Sequence, residues 1–97
     1  MSEANEKLMQ ALATIEGAPK SGYYQHTSGG LYWFTAPALH VETLEVLAVY
    51  QSLAGPHAGV NWIRSLTRFN PAHGFERMTS DDYRKARAKA GHEYYGE

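Results

Sequence analysis

His40 and Glu42 are the residues whose types and spacing most directly suggest chemistry. They stand two apart in Ala38–Glu42, a stretch that reads as a strand arm, where alternate side chains face one side of a sheet. A carboxylate beside an imidazole orients the ring and raises its affinity for a proton, giving a usable acid–base pair. The same two residues also serve as a hydrogen-bonded hairpin contact that fixes register. His26 approaches them if the first two strands pair. A second group is aromatic: Tyr23, Tyr24, Tyr32, Trp33, Phe34, Tyr50 and Trp62. Such rings stack on bases, methylated cations or proline-rich peptides, or simply fill the core of a small sheet. Tyr24, Tyr32 and Tyr50 carry hydroxyls that need partners when buried, which suits them to a pocket better than Phe34. Arg64 and Arg68, four apart, flank one side of any helical turn there and clamp a phosphate or carboxylate, or pair with Glu42 or Glu45. The candidate ligand site is therefore His26, Tyr32, His40, Glu42, Tyr50, Trp62 and Arg64.

Several chemistries are disfavoured. The 97 residues contain no cysteine, which removes disulfides, thiolate metal sites and a cysteine nucleophile. The five histidines, at 26, 40, 57, 73 and 92, never recur at helical i, i+4 spacing, and His40 with Glu42 supplies fewer ligands than catalytic zinc takes. No metal and no cofactor are expected. Gly29-Gly30 precedes a strand instead of a helix and belongs to no phosphate-loop pattern. No serine sits in a Gly-x-Ser-x-Gly elbow. The longest apolar runs, such as Leu31–Phe34 and Val46–Val49, fall far short of the about 20 residues of a membrane span. Glu3 and Glu6 near the start are unlike a signal peptide, so a cytoplasmic protein is expected. Charge is uneven. Residues 1–63 hold two basic against five acidic side chains, whereas residues 64–89 hold seven against three. That basic sector attracts phosphate, but a sequence pI near 6.5 is well below that of a dedicated nucleic-acid binder.

The elements that must position these residues follow from periodicity. Residues 2–16 read as a helix, with Ser2 as N-cap, Leu8, Ala11, Leu12 and Ile15 on one stripe, and Gly17 and Pro19 ending it. Tyr23–Thr27 and Leu31–Thr35 read as strands around the Ser28-Gly29-Gly30 turn, and Pro37 marks a bulge or edge. Ala38–Glu42 and Glu45–Leu53 form a hairpin around Thr43-Leu44. Val60–Arg64 is a further strand, Ser65–Phe69 a helical turn, and Phe75–Met78 a closing strand. A second helix spans residues 79–91, capped by Thr79 with Asp82 three residues on and ended by Gly91. The expected architecture is a single α+β domain, mainly β: a small SH3-like five-stranded barrel over residues 22–78 with a helix at each end.

The middle of the chain resembles the bacterial family known as domain of unknown function 1653. Tyr24-Gln25-His26, Gly29-Gly30-Leu31-Tyr32, His40-Val41-Glu42-Thr43, Val49-Tyr50 and Trp62-Ile63-Arg64 carry the likeness, over about residues 22–78. The sequence departs from the pattern at Ser28, where the family usually has a basic residue, at Val41, and at Ser65 in place of a proline. The resemblance implies the barrel topology and brings no activity with it.

The resulting functional expectation is a non-catalytic binding module that recognises or sequesters an anionic, nucleotide-like ligand. An adaptor for protein or nucleic acid, using the aromatic face or the basic run Arg84–Lys89, is the alternative. A small hydrolase using His40 and Glu42 ranks below both. The apolar stripe of helix 2–16 suggests a homodimer.

Overall fold

Alternating large and polar side chains along the middle of the chain produce one antiparallel sheet. The computed structural model describes residues 3–94, and side chains from 5 to 89. Helix α1 is Glu3–Glu16, followed by strands β1 (Gly22–His26), β2 (Leu31–Leu39), β3 (Val46–Ser52) and β4 (Asn61–Ser65). Two 3-10 turns, Leu66–Arg68 and Pro71–His73, lead to β5 (Phe75–Met78) and helix α2 (Ser80–Tyr94). The strand order is β4-β3-β2-β1-β5.

The register places the large side chains on one face. Tyr24 lies opposite Tyr32, Phe34 opposite Tyr50, Tyr50 opposite Trp62, and His26 opposite Phe75. Because cross-strand neighbours share a face, Tyr24, Phe34, Ala48, Tyr50 and Phe75 form a continuous buried cluster. Phe69, carried over that face by the first 3-10 turn, completes it. Its ring stacks on Phe75 at 4.5 Å between centroids and meets Tyr24 at 4.9 Å and Tyr50 at 5.1 Å. The opposite face carries Tyr23 and Trp33, packed edge to face at 4.9 Å, and Tyr83 of α2 stacks on Tyr23 at 4.2 Å. That stack docks α2 against the β1–β5 side of the sheet, while α1 touches β2 and β3.

The expected SH3-like barrel is not formed. β4 and β5 are the two edges of the order, and no ladder joins them. What bridges them is side-chain contact: the Arg64 guanidinium of β4 lies 4.8 Å from the centre of the Phe75 ring of β5. The chain between these strands spends its length on two 3-10 turns and the Phe69 plug, so aromatic packing takes the place that backbone bonds hold in a closed barrel. The second correction concerns β2. Leu31–Thr35 and Ala38–Glu42 are not separate strands but one, ending at Leu39, with a register shift between Phe34 and Ala36. Pro37 sits just beyond that irregularity, opposite Ala48. The hairpin turn consequently spans His40–Glu45 and is closed by His40 N–H donating to Glu45 O at 2.9 Å.

Helix boundaries also shift. The Thr79 cap forms as read: Asp82 N–H donates to Thr79 Oγ1 at 3.0 Å. The helix, however, runs through Gly91 to Tyr94. Ser2, expected as the α1 cap, lies outside the described residues. The Cα radius of gyration is 15.6 Å, against roughly 12–13 Å for a compact chain of this length, so the helices extend the molecule beyond the sheet. On α1, Ala11 is buried while Leu8, Met9 and Leu12 are exposed. Among the described residues no helix is long and apolar enough to cross a membrane.

The cluster makes a stability prediction. Phe34→Ala and Phe75→Ala, both at fully buried positions, each lower unfolding free energy by about 3–5 kcal/mol in urea titration. Met9→Ala, on the exposed side of α1, changes it by less than about 0.5 kcal/mol.

Candidate functional site

β4 builds the site. Trp62 and Arg64, two apart, project to the face that carries the aromatic cluster. Arg64 Nε donates to the Tyr50 hydroxyl at 3.0 Å, and the guanidinium lies over Phe75 at 4.8 Å and near Tyr50 at 5.8 Å. Tyr50 is thereby satisfied on its buried hydroxyl, and a half-buried cation is held by ring faces. Arg64 makes no ion pair among the described residues; the salt bridge found there joins Arg84 and Asp81 on α2. Trp62 donates its indole N–H to Ser52 Oγ at 2.8 Å and remains 38 % exposed. Tyr32 packs edge to face with Tyr50 at 5.4 Å, and with Phe75 at 5.9 Å. Tyr32, Tyr50, Trp62 and Arg64 thus gather on one face.

A cleft of ≈ 600 Å³ opens beside them, lined by Glu45, Arg64, Ser65, Thr67 and Arg68. The 3-10 turn beginning at Leu66 carries Arg68 to the cleft that Arg64 enters from the strand. A Ser65–Thr67 hydroxyl contact at 3.0 Å braces the turn. A second groove of ≈ 610 Å³ shares Glu45, Ser65 and Thr67 with this cleft and runs between α1 and the β2–β3 turn, where Ala11, Leu44 and Leu66 line it.

His26 shares the sheet face but is fully engaged. Its Nδ1 accepts from Ser28 N–H at 3.1 Å and contacts Ser28 Oγ at 2.8 Å, which places its ring proton on Nε2, 3.1 Å from His73 O. Gly74, at φ 90°, is required beside it, since a Cβ there would stand 2.8 Å from His26 Nε2. His26 therefore ties the β1–β2 turn to the approach to β5.

His40 and Glu42 are not brought to the site. His26 closes β1 beside the start of β2, while His40 follows the other end of β2, so the two histidines are separated by the length of that strand. His40 Nδ1 accepts from the backbone N–H groups of Glu42 and Thr43 at 3.1 and 3.2 Å. The ring staples a turn in which Leu44 adopts φ 59°, an unfavourable conformation for a bulky residue. It is the backbone of Glu42, not its exposed carboxylate, that bonds the imidazole. Among the described residues no three His, Asp or Glu side chains group so as to hold a metal ion.

Ser65 and Thr67 of the cleft wall and Phe75 of its floor are site residues that the sequence reading missed; of these Phe75 holds the guanidinium. Phe75 was visible as an aromatic at the start of a strand after a glycine, but nothing local indicated that it would lie beneath a β4 arginine. A family model, described as protein of unknown function DUF1653, matches residues 22–80, more than half of the chain. The chain belongs to the DUF1653 family. The matched segment contains every strand and both 3-10 turns, so the Arg64 cleft and its aromatic floor lie inside the DUF1653 region, whereas α1 and nearly all of α2 lie outside it. No curated protein and no solved structure matches the chain.

The turn geometry predicts a purely structural role for His40. His40→Ala lowers stability by about 1–2 kcal/mol through the loss of two backbone hydrogen bonds, read from chemical denaturation. Glu42→Ala, which keeps its backbone donor, changes stability by less than about 0.5 kcal/mol.

Proposed function

We propose that the protein is a non-catalytic binding module that takes an anionic, nucleotide-like ligand at the Arg64–Arg68 cleft. The observation that carries this reading is the state of Arg64: a half-buried guanidinium, fixed through Nε by Tyr50 and resting on Phe75, with no carboxylate partner among the described residues. A charge held in place before the ligand arrives loses little freedom on binding. The planar fork of arginine suits phosphate oxygens, and Arg68 brings a second fork to the same cleft. Trp62, part-exposed on the same strand, offers a face for stacking a base. Glu45 lines the cleft too, and its carboxylate accepts hydrogen bonds from sugar hydroxyls while limiting how much negative charge enters.

Two features favour binding over hydrolysis. His40 has its acceptor nitrogen occupied by backbone donors, and the Glu42 carboxylate is not its partner. The adaptor alternative draws on the basic run of α2, but there Arg84 pairs with Asp81, and Arg87 donates to Leu53 O and the Tyr83 hydroxyl. Lys85 and Lys89 then carry most of any contact with nucleic acid.

Isothermal titration with a panel of nucleoside mono-, di- and cyclic phosphates tests the proposal. Binding is expected to weaken at least tenfold in Arg64→Ala and in Arg68→Ala, and to weaken as salt is raised. Trp62→Ala should reduce affinity for nucleotides several-fold and leave inorganic phosphate binding unchanged. Absence of heat with every nucleotide, or an Arg64→Ala variant equal to the wild type, would sink the reading.

A further inference from the structure

β4 is an exposed edge with apolar side chains on both of its faces. Val60, just before the strand, is 39 % exposed, Trp62 38 % and Ile63 65 %. Among the described residues β4 pairs with β3 alone. The other edge is guarded differently: β5 is four residues long and carries Glu76 and Arg77, and α2 packs against it. β4 has no proline and no bulge in its ladder, and Arg64 is its one charged residue.

The unpaired backbone groups can be assigned. Ser52 N–H donates to Val60 O at 3.0 Å across the β3–β4 hairpin. By alternation, Trp62 and Arg64 direct their backbone groups to β3, and Asn61, Ile63 and Ser65 direct theirs outward. The segment Asn61-Trp62-Ile63-Arg64-Ser65 is complementary to itself when reversed about Ile63. Polar Asn61 meets polar Ser65, Ile63 meets itself, and Trp62 meets Arg64.

We propose that this edge is an interface for a second copy of the chain, β4 pairing antiparallel with β4 about a two-fold axis at Ile63. In that register Ile63 faces the partner's Ile63, and Asn61 faces the partner's Ser65, as hydrogen-bonded pairs that exchange both N–H···O bonds. Trp62 and the partner's Arg64 fall on the intervening non-bonded pair, where Cα atoms approach to about 4.5 Å and side chains are closest. An indole against a guanidinium on a shared face is a favourable cation–π contact. Each Arg64 already lies over Phe75 within its own chain, and pairing brings it the partner's Trp62 as well. The two sheets become one sheet running through both copies, and each cleft gains an aromatic wall from the other copy. This pairing rests on the edge itself and stands whether or not the cleft binds nucleotides.

Sedimentation velocity across the micromolar to low-millimolar range should show a dimer fraction that rises with concentration and is lost in Ile63→Lys, with the variant melting at the temperature of the dilute, monomeric wild type. Register is tested by cysteine trapping, since the natural chain has no cysteine to interfere. In the paired edge the two Ile63 Cα atoms lie about 5.5 Å apart, within disulfide reach, whereas Asn61 and the partner's Asn61 are about 13 Å apart along the strands. Ile63→Cys should therefore cross-link under mild oxidation at least tenfold faster than Asn61→Cys or Ser65→Cys alone, and a mixture of those two variants should cross-link with each other. A wild type that stays monomeric throughout overturns the proposal. So does a dimer that survives Ile63→Lys, or one dissolved instead by Leu8→Glu with Leu12→Glu on α1.

Discussion

The packing of Phe69 against Phe75 is the contact on which the rest of this molecule depends. β4 and β5 share no backbone ladder, so nothing in the sheet itself holds its two edges in relation. Phe69, fully enclosed, touches Tyr24, Phe34, Tyr50 and Phe75, one ring from each of four strands. Aromatic pairs of this geometry contribute beyond the area they bury, and here they do so in a domain with little other core. The backbone around Phe69 is correspondingly well secured. Asn70 donates its side-chain amide to Thr67 O at 2.7 Å and accepts from His73 N–H at 3.1 Å, while its carbonyl receives Phe75 N–H at 3.0 Å. The plug therefore fixes the 3-10 turn that carries Arg68, as well as the floor on which Arg64 rests.

On that framework the long polar side chains differ in what they fasten. Arg77 donates to Lys20 O at 3.0 Å and Ser21 O at 3.2 Å, fastening the α1–β1 linker to β5. Arg87 ties α2 to Leu53 O, His40 staples its turn, and His26 joins the β1–β2 turn to His73. Each of these groups meets the backbone, whose donors and acceptors require partners wherever water is excluded. Arg64 is bound differently. Its Nε is committed to a tyrosine hydroxyl and its plane rests on a ring, an arrangement that orients the guanidinium without neutralising it. Arg77 and Arg87 also reach tyrosine hydroxyls, those of Tyr24 and Tyr83, but each spends a further N–H on a backbone carbonyl, a bond that Arg64 lacks among the described residues.

Much of this was legible in the sequence, and the gaps have physical causes. Alternation along the Glu45–Leu53 arm puts Val46, Ala48, Tyr50 and Ser52 on one face, and the last three are buried. The cap at Thr79 and Asp82 was readable because capping is local chemistry. His40 and Glu42 misled because the two-residue rule holds only inside a strand, and β2 ends at Leu39. One residue past that boundary, the imidazole turns back onto its own turn. Pro37 marked a bulge or edge, and a register shift does fall beside it, between Phe34 and Ala36; what the sequence did not show is that the strand continues through it. Barrel closure was beyond the reach of periodicity altogether. A pattern of alternating residues says which face is buried and is silent on whether the first and last edges pair. Phe69 carried one available signal, a large apolar residue directly before Asn70-Pro71, but three of its four ring contacts, those to Tyr24, Phe34 and Tyr50, are long-range.

An open sheet closed by side chains has a consequence that a barrel avoids: its edges keep unpaired backbone groups. Full closure would have satisfied β4 and β5 against each other. With Phe69, Phe75 and Arg64 filling the gap instead, each edge must be managed separately. At β5 the management is local, since the strand is short, charged and followed by α2. At β4 the residues that would serve as guards are committed elsewhere. Arg64 points over the aromatic face to Tyr50 and Phe75, which draws the one charge of the strand inward, and Ile63 is left at the rim. The same placement that seats Arg64 over the aromatic face thus strips β4 of its protection, so the cleft and the exposed edge are two results of one packing arrangement. A substitution that closed the edge by moving Arg64 outward would dismantle the cleft with it.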